Sequence, residues 1–211
     1  MTDLKSIKHF IWDFDGTLAD TYPNLIRYLT LALADFGVKA EPVEIHEKMM
    51  VTVGYAIEWY AEHCNLPELS ERYNYYYLLG KNDPASAFSG VAEVLEHIQK
   101  SGGCNYIFTN RGESVYPLLE QMNLLNYFTE VVRKGDPEFE YKPSPRAILY
   151  LMEKYGCTKE NTAMVGDREC DLESGYNAGC KTIHLLTPSV PQYPVCDWRV
   201  SDFVEMLNLL K

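Results

Sequence analysis

One short stretch near the N-terminus constrains this chain more than any other, because an apolar strand there ends in two carboxylates and a glycine. Residues 10–12 carry no charged side chain, as expected for a strand covered on both faces of a parallel sheet. Asp13 and Asp15 follow, and Gly16 gives the backbone freedom for a sharp turn. Open α/β sheets bind ligands beyond the carboxyl ends of their strands, so this stretch predicts a functional site.

The charge balance argues against several classes of partner. The chain has 19 Lys and Arg residues against 30 Asp and Glu residues, which gives a net charge of -11 and a pI near 4.9. Such a chain is repelled by nucleic acids and by anionic membranes, so neither is expected as a partner. Any anionic ligand must therefore be held by a local positive site.

The N-terminal residues and the cysteines indicate a cytoplasmic protein. Residues 1–8 lack an apolar signal core, and no apolar run approaches the roughly 18 residues of a membrane span. No CxxC pair is present, so the spacing of a zinc site is absent and free thiols are expected. The six cysteines are Cys64, Cys104, Cys157, Cys170, Cys180 and Cys196.

Apolar periodicity predicts an alternation of strands and helices with one long helical interruption. Strands are predicted at residues 10–12, 104–108, 128–133, 162–165 and 182–186, with helices between them and a final helix from about 202 to 210. A loop with Pro188, Pro191 and Pro194 precedes that last helix. This pattern favours an α/β fold with a parallel sheet flanked by helices. Residues 1–18 and 86–211 would form the core, and residues 19–85 an inserted α-helical cap.

Polar residues follow four of the predicted strands or lie in the loops after them. All strands of a parallel sheet end at one edge, so these residues are expected to converge in one crevice. They are Asp13 and Asp15, Thr109 and Asn110, Lys142, and Asp167 and Asp171.

Four carboxylates in one crevice require a cation. Two like charges about 4 Å apart repel by roughly 4 kcal/mol at an effective dielectric near 20. Oxygen ligands without a His or Cys cluster select a hard ion, and Mg²⁺ suits a site that also binds phosphate. Lys142 and Thr109 can hold a phosphoryl group, and one carboxylate can act as nucleophile while a second moves protons.

Each of these residues also has an ordinary structural explanation. Lys142 fits a solvated loop, and Thr109 with Asn110 fits turn chemistry. Asp167 fits a helix cap, and Asp171 fits the positive end of the same helix. Taken singly, each ordinary explanation is the better one; the joint pattern at successive strand ends favours a site.

In these motifs the chain resembles the haloacid dehalogenase superfamily of phosphohydrolases, helical-cap subfamily, which includes phosphoglycolate phosphatase-like enzymes. Residues 13–17 match its DxDGT motif, Thr109 its second motif, Lys142 in KPSP its third, and residues 166–171 its GDxxxD motif. The resemblance covers nearly the whole chain apart from the helical insertion. It implies a Rossmann-like core, a phosphoric monoester hydrolase and Mg²⁺.

The same resemblance implies a role for each matched residue. Asp13 would be the nucleophile and Asp15 the acid and base. Mg²⁺ would be held by Asp13, the backbone carbonyl of Asp15 and Asp167, with Asp171 assisting. The phosphate would be held by Thr109, the Asn110 backbone and Lys142.

Alternative functions remain open at this point. A dehalogenase is disfavoured, because that branch lacks the carboxylate found here at Asp15. A phosphomutase of the β-phosphoglucomutase type shares all four motifs. A non-catalytic module that accepts phosphate on Asp13 is a third hypothesis.

The expected partner is a small-molecule phosphate ester, and the sequence predicts neither its identity nor an oligomeric state. Candidates for contact with the rest of the substrate are the cationic or titratable residues of the insertion, Arg27, His46, Lys48, Arg72 and Lys81. For most of them a solvated position on a helix is the better explanation.

Overall fold

The computed structural model describes residues 3–186, 193 and 195–211. The predicted loop with Pro188, Pro191 and Pro194 lies outside these residues. The chain divides into two compact units, Met1–Asp20 with Ser86–Lys211, and Thr21–Ala85.

The first unit is built on a six-stranded sheet in which every neighbouring pair is parallel. The eight strands of the described residues are β1 (His9–Trp12), β2 (Ala19–Asp20), β3 (Ser86–Ala87), β4 (Cys104–Thr109), β5 (Phe128–Arg133), β6 (Thr162–Gly166), β7 (Lys181–Leu185) and β8 (Trp198–Val200). The sheet order is β5-β4-β1-β6-β7-β8, and β2 and β3 form a separate antiparallel pair.

Nine α-helices lie in the described part of the chain. They are α1 (Tyr22–Asp35), α2 (Pro42–Met49), α3 (Val53–His63), α4 (Leu69–Gly80), α5 (Val91–Lys100), α6 (Val115–Gln121), α7 (Arg146–Tyr155), α8 (Glu169–Ala178) and α9 (Phe203–Leu210). None of these helices has the length and apolar content needed to cross a membrane. The predicted parallel sheet with an inserted helical segment is confirmed. Strands β2, β3 and β8 were missed because two or three residues are too short to show a periodicity.

Strand β1 forms the centre of the sheet and is almost fully buried. Phe10, Ile11 and Trp12 are each at most 1% exposed. The indole Nε1 of Trp12 donates to Oδ1 of Asn105 at 3.0 Å, and Nδ2 of Asn105 donates to the carbonyl of Leu95 at 3.2 Å. These bonds satisfy the polar groups of the buried layer, so β1, β4 and α5 are joined without an unpaired donor at this point.

The second unit consists of helices α1 to α4, and all of its residues are described. Arg27 and Tyr28 of α1 both contact Asp83, which lies beyond the end of α4. The hydroxyl of Tyr28 also donates to the carbonyl of Gly80. These contacts link the first and last helices of the unit.

The candidate substrate residues of this unit mostly have partners within it. Arg27 pairs with Asp83, and Nε of Arg72 lies 3.2 Å from Oδ2 of Asp35. Nζ of Lys48 lies 3.9 Å from the centroid of the Trp59 ring, and the ring of His46 lies 4.9 Å from that of Tyr22. Lys81 is exposed. Their predicted contact with substrate stays a prediction.

Helix α8 lies against β6 and β7 with a glycine at the contact. A Cβ at Gly175 would lie 2.8 Å from Cβ of Met164 and 2.8 Å from Cγ2 of Thr182. Both neighbours belong to strands buried in the sheet, so they have little room to move aside. Glycine therefore sets how closely α8 approaches the sheet.

We expect Gly175→Ala to lower the free energy of unfolding by about 1–3 kcal/mol, because the added methyl group overpacks the contact. This cost should exceed the roughly 1 kcal/mol by which alanine favours a helix over glycine. Urea unfolding measures the change. Glu173→Ala, on the exposed face of the same helix, should stay within about 0.5 kcal/mol of wild type. A Gly175→Ala variant as stable as Glu173→Ala would show that α8 can move away from the sheet at no cost.

Candidate active site

Three adjacent strands bring polar residues to one edge of the sheet. Strand β1 lies between β4 and β6 and is parallel to both. Asp13 directly follows β1, Thr109 ends β4, and Asp167 directly follows β6. The backbone N–H of Asp13 donates to the carbonyl of Val165 at 2.9 Å, which continues the pairing of β1 with β6 past the end of β1. The carboxyl edge of the sheet centre is therefore lined by these three residues.

Asp13, Asp167 and Asp171 form a buried cluster of carboxylates. Each is at most 1% exposed, and one oxygen from each lies within 4.8 Å of the others. Asp171 belongs to the first turn of α8, where its Oδ2 accepts from the backbone N–H of Arg168 at 3.0 Å. A Cβ at Gly166 would overlap the Asp171 side chain, so the glycine of this turn allows the cluster to close.

A lysine neutralises part of this cluster. Nζ of Lys142 donates to Oδ1 of Asp13 at 2.5 Å and to Oδ1 of Asp171 at 2.7 Å. Its side chain is 0% exposed, and Nζ lies 4.9 Å from the centroid of the Phe108 ring of β4. Lys142 therefore connects the loop before α7 to the carboxylate cluster.

A second cation and a hydroxyl lie beside the same cluster. Nη2 of Arg168 is 3.7 Å from Oδ2 of Asp13, and its Nε is 4.0 Å from Oδ2 of Asp171. The hydroxyl of Thr17 donates to Oδ1 of Asp167 at 2.8 Å. Three carboxylates and two cations, Lys142 and Arg168, leave a formal charge of -1 if all are ionised. In that fully ionised state the cluster has an excess of negative charge.

Burial raises the pKa values of two of these carboxylates. Burial raises the pKa of Asp13 to about 6; the Asp171 carboxylate adds to this shift and Lys142 opposes it. Burial likewise raises the pKa of Asp167 to about 7, against the effect of Arg168. Both residues therefore hold protons more tightly in the folded protein than an ordinary aspartate does.

The pKa shifts of Asp171 and Lys142 have the opposite sense. Burial alone would raise the pKa of Asp171, but Lys142 and Arg168 together hold it below the ordinary value. Burial alone would lower the pKa of Lys142, but Asp13 and Asp171 raise it. Lys142 and Asp171 are thus an ionised pair around which the other carboxylates are arranged.

Asp15 is bound by a different residue, Arg111. Nε of Arg111 donates to Oδ1 and Oδ2 of Asp15 at 3.0 and 3.2 Å, and Nη2 donates to Oδ1 at 2.6 Å. The side chain of Asp15 is 18% exposed and that of Arg111 is 5% exposed. Asp13 and Asp15 are two residues apart in sequence, yet they lie in different electrostatic surroundings.

Arg111 is itself held by neighbouring groups. Its backbone N–H donates to Oγ1 of Thr109 at 3.1 Å, and its carbonyl accepts from the backbone N–H of Lys134 at 3.0 Å. Its Nη1 donates to Oγ of Ser114 at 3.2 Å. These bonds place the guanidinium beside Asp15 and connect Thr109 to that residue.

The structure thus places the predicted residues in two groups. Asp13, Lys142, Asp167 and Asp171 meet in the buried cluster. Asp15 is paired with Arg111, and Thr109 contacts the same arginine. Asn110 follows Thr109, and its buried Oδ1 has no hydrogen-bond donor among the described residues. The chemical role of each stays a prediction.

Sequence reasoning missed four residues of the site, Thr17, Arg111, Ser114 and Arg168. The excess of buried carboxylates over a single lysine was a signal that more positive charge was needed. Arg111 and Arg168, each within two residues of a predicted site residue, were the cations available.

Comparison with known proteins extends this description to a family. Residues 10–185 match the haloacid dehalogenase-like hydrolase family. A phosphoglycolate phosphatase of Haemophilus influenzae is 27% identical over 216 residues, which cover 94% of this chain and 96% of that protein.

Two solved structures have similar folds. A hydrolase from Streptococcus pneumoniae is 33% identical with a TM-score of 0.64, covering 86% of this chain and 94% of that chain. A predicted phosphoglycolate phosphatase from Haemophilus somnus is 22% identical with a TM-score of 0.81, covering 98% and 99%. The family match spans most of the sequence and includes the strands that form the site. The chain therefore belongs to the haloacid dehalogenase-like hydrolase family, has its Rossmann-like fold, and is a phosphoric monoester hydrolase.

Proposed function

We propose that this protein is a Mg²⁺-dependent phosphatase that hydrolyses a small phosphorylated metabolite through an aspartyl-phosphate on Asp13. The observation that carries the proposal is the state of the two Asp13 oxygens. Oδ1 is held by Lys142 at 2.5 Å, whereas Oδ2 is buried and accepts no hydrogen bond from the described residues, Nη2 of Arg168 being 3.7 Å away. A buried carboxylate oxygen without a donor is costly unless it binds something else, such as a cation or a reacting phosphorus atom.

The residues of the cluster fit Mg²⁺. Asp13 and Asp167 offer carboxylate oxygens, Asp171 lies beside them, and the cluster contains no His or Cys ligand. The formal charge of -1 and the orphaned Oδ2 both favour a hard cation. When bound, the ion would supply positive charge to the phosphoryl oxygens. The backbone carbonyl of Asp15 is proposed as a further ligand.

The remaining steps are assigned to side chains of this chain. Asp13 attacks phosphorus while Lys142 fixes its Oδ1 and orients the carboxylate. Asp15 gives a proton to the leaving alkoxide, and afterwards accepts a proton from the water that attacks the aspartyl-phosphate. Thr109, the Asn110 backbone and Lys142 hold the phosphate, since together they offer a hydroxyl, an N–H and an ammonium as donors.

The substrate proposed first is phosphoglycolate, because relatives aligned along almost the whole chain carry the name phosphoglycolate phosphatase. Residues 19–85 are proposed to act as the cap that selects the substrate, with residues 1–18 and 86–211 as the catalytic core. The cytoplasmic location expected from the sequence stays a prediction.

The function is tested by phosphate release from a panel of glycolate, sugar, nucleotide and aryl phosphates, with and without Mg²⁺. We expect metal-dependent release from wild type and less than about one thousandth of that activity from Asp13→Asn, because the variant lacks a nucleophilic carboxylate. Acid-quenched wild type should carry the mass of one phosphoryl group on the peptide that contains Asp13. Glu173→Gln, an equal change of charge at an exposed position, should be fully active.

Two outcomes would count against this proposal. Full activity of Asp13→Asn would remove Asp13 from the reaction. Phosphoryl transfer between sugar phosphates without release of phosphate would favour the phosphomutase alternative.

Metal binding should stabilise the protein more at about pH 8 than at about pH 5. Burial raises the pKa values of Asp13 and Asp167 to about 6 and about 7, above the ordinary 3.8. The metal-free folded state therefore binds more protons than the unfolded state between about pH 4 and 7, so its stability falls as the pH rises through this window. Mg²⁺ binds the ionised carboxylates and should offset that loss.

The measurement is the thermal midpoint with EDTA and with saturating Mg²⁺ at both pH values. We expect Mg²⁺ to raise the midpoint by about 5–10 °C near pH 8 and by a much smaller amount near pH 5. Asp167→Asn, which removes one proposed ligand, should lose most of this response. An equal response at both pH values would place the metal away from the buried cluster.

A further inference from the structure

The pairing of Arg111 with Asp15 has features that a surface ion pair lacks. The arginine is the more buried partner, at 5% exposure against 18% for the carboxylate. Its backbone is bonded on both sides, and its Nη1 is fixed by Ser114. A guanidinium held in this way keeps its fork geometry with little loss of side-chain entropy. Arg111 is therefore held in place by the surrounding protein, and it binds the more exposed Asp15 carboxylate.

The two oxygens of Asp15 are contacted unequally. Oδ1 accepts from Nε at 3.0 Å and from Nη2 at 2.6 Å, whereas the contact of Nε with Oδ2 is longer, at 3.2 Å. Charge-assisted hydrogen bonds of the shorter kind are the stronger ones. Arg111 therefore binds Oδ1 of Asp15 more strongly than Oδ2, and both oxygens are held by the same guanidinium.

We propose that Arg111 is a positioning residue that holds Asp15 for proton transfer to the leaving group of the substrate. This inference rests on the proposed function, in which Asp15 is the acid. In the step concerned, Asp13 forms a bond to phosphorus and the bond from phosphorus to the leaving oxygen breaks. The electron pair stays on that oxygen, which takes the proton of Asp15. Asp15 is left as a carboxylate, and Arg111 stabilises the charge that develops on it.

The dependence on leaving group separates this role from a structural one. An alkyl phosphate such as phosphoglycolate expels a strongly basic alkoxide, which needs the proton of Asp15. p-Nitrophenyl phosphate expels a weakly basic phenolate, which leaves without one. A loss of acid positioning therefore harms the alkyl phosphate selectively, whereas general damage to the site harms both substrates equally.

The experiment compares kcat/KM for phosphoglycolate, or for the best alkyl phosphate of the panel, with kcat/KM for p-nitrophenyl phosphate. This parameter reports the steps up to the departure of the first product, so it isolates the leaving-group step from hydrolysis of the aspartyl-phosphate. We expect Arg111→Met to lower the value for the alkyl phosphate about 10²-fold and the value for the aryl phosphate less than about 3-fold. Arg111→Lys should recover about tenfold of the loss, because it restores the charge without the fork.

Three further variants serve as references. Asp15→Asn should show the same selectivity with a larger loss, about 10³-fold for the alkyl phosphate. Ser114→Ala removes the bond to Nη1 and leaves the ion pair, so it should give a smaller loss of the same kind, even if Arg111→Met fails to fold. Arg133→Met removes an arginine at the end of β5, where it pairs with Glu113 and Asp136, and should not change the ratio of the two substrates.

These variants distinguish a failure of the role of Arg111 from a failure of the role of Asp15. In one outcome, Asp15→Asn loses activity selectively on the alkyl phosphate, while Arg111→Met and Ser114→Ala affect both substrates equally. This outcome would overturn the role of Arg111 and leave the proposed function standing. An Asp15→Asn variant without selectivity would overturn the assignment of Asp15 as the acid, and the inference with it. Selective loss in Asp15→Asn, Arg111→Met and Ser114→Ala would support the inference.

Discussion

The ammonium group of Lys142, buried between Asp13 and Asp171, is the interaction on which the arrangement of the site depends. Carboxylates about 4 Å apart repel each other by roughly 4 kcal/mol at an effective dielectric near 20, and burial adds a desolvation cost to each. Lys142 bonds directly to two of the three buried carboxylates, and Arg168 lies close to the same two. The loop that carries Lys142 and the turn that carries Arg168 are therefore fixed by charge as well as by packing. When all three carboxylates are ionised, these cations leave one negative charge uncompensated, and the cluster is then suited to a further cation.

Parallel topology explains why residues so distant in sequence form one cluster. Strand β1 is flanked by β4 and β6, and all three end at the same edge. The close approach of α8 to β6, which requires glycine at positions 166 and 175, then brings Asp171 up to Asp13 and Asp167. The packing of α8 on the sheet thus also determines the geometry of the site. A change that pushes α8 outward acts on the carboxylates even though it lies outside the cluster.

The sequence was sufficient for the fold class and for the residues of the buried cluster, and the reason is physical. Asp13 and Asp167 follow strands whose apolar runs are easily recognised, and the end of a parallel strand determines where the next residue lies. Arg111 could not be assigned in this way, because its side-chain direction depends on the loop bonds to Ser114 and Lys134. Strand β8 was missed for a similar reason, since its pairing with β7 is determined by tertiary structure and three residues show no periodicity.

Asp13 and Asp15 are of one residue type and lie in a single turn, yet their surroundings differ in the way that the two roles proposed for them require. Asp13 lies among carboxylates, where burial raises its pKa to about 6, and one of its oxygens accepts no hydrogen bond from the part of the chain that the structure describes. Asp15 lies at the partly exposed side of the same turn, where the guanidinium of Arg111 binds it. A nucleophile needs an oxygen that is not occupied by hydrogen bonds, whereas a proton carrier needs a fixed position and exchange with solvent. The proposed roles therefore depend on the immediate surroundings of the two residues more than on their residue type. Arg111 is the main contact of Asp15, and Lys142 is the main contact of Asp13.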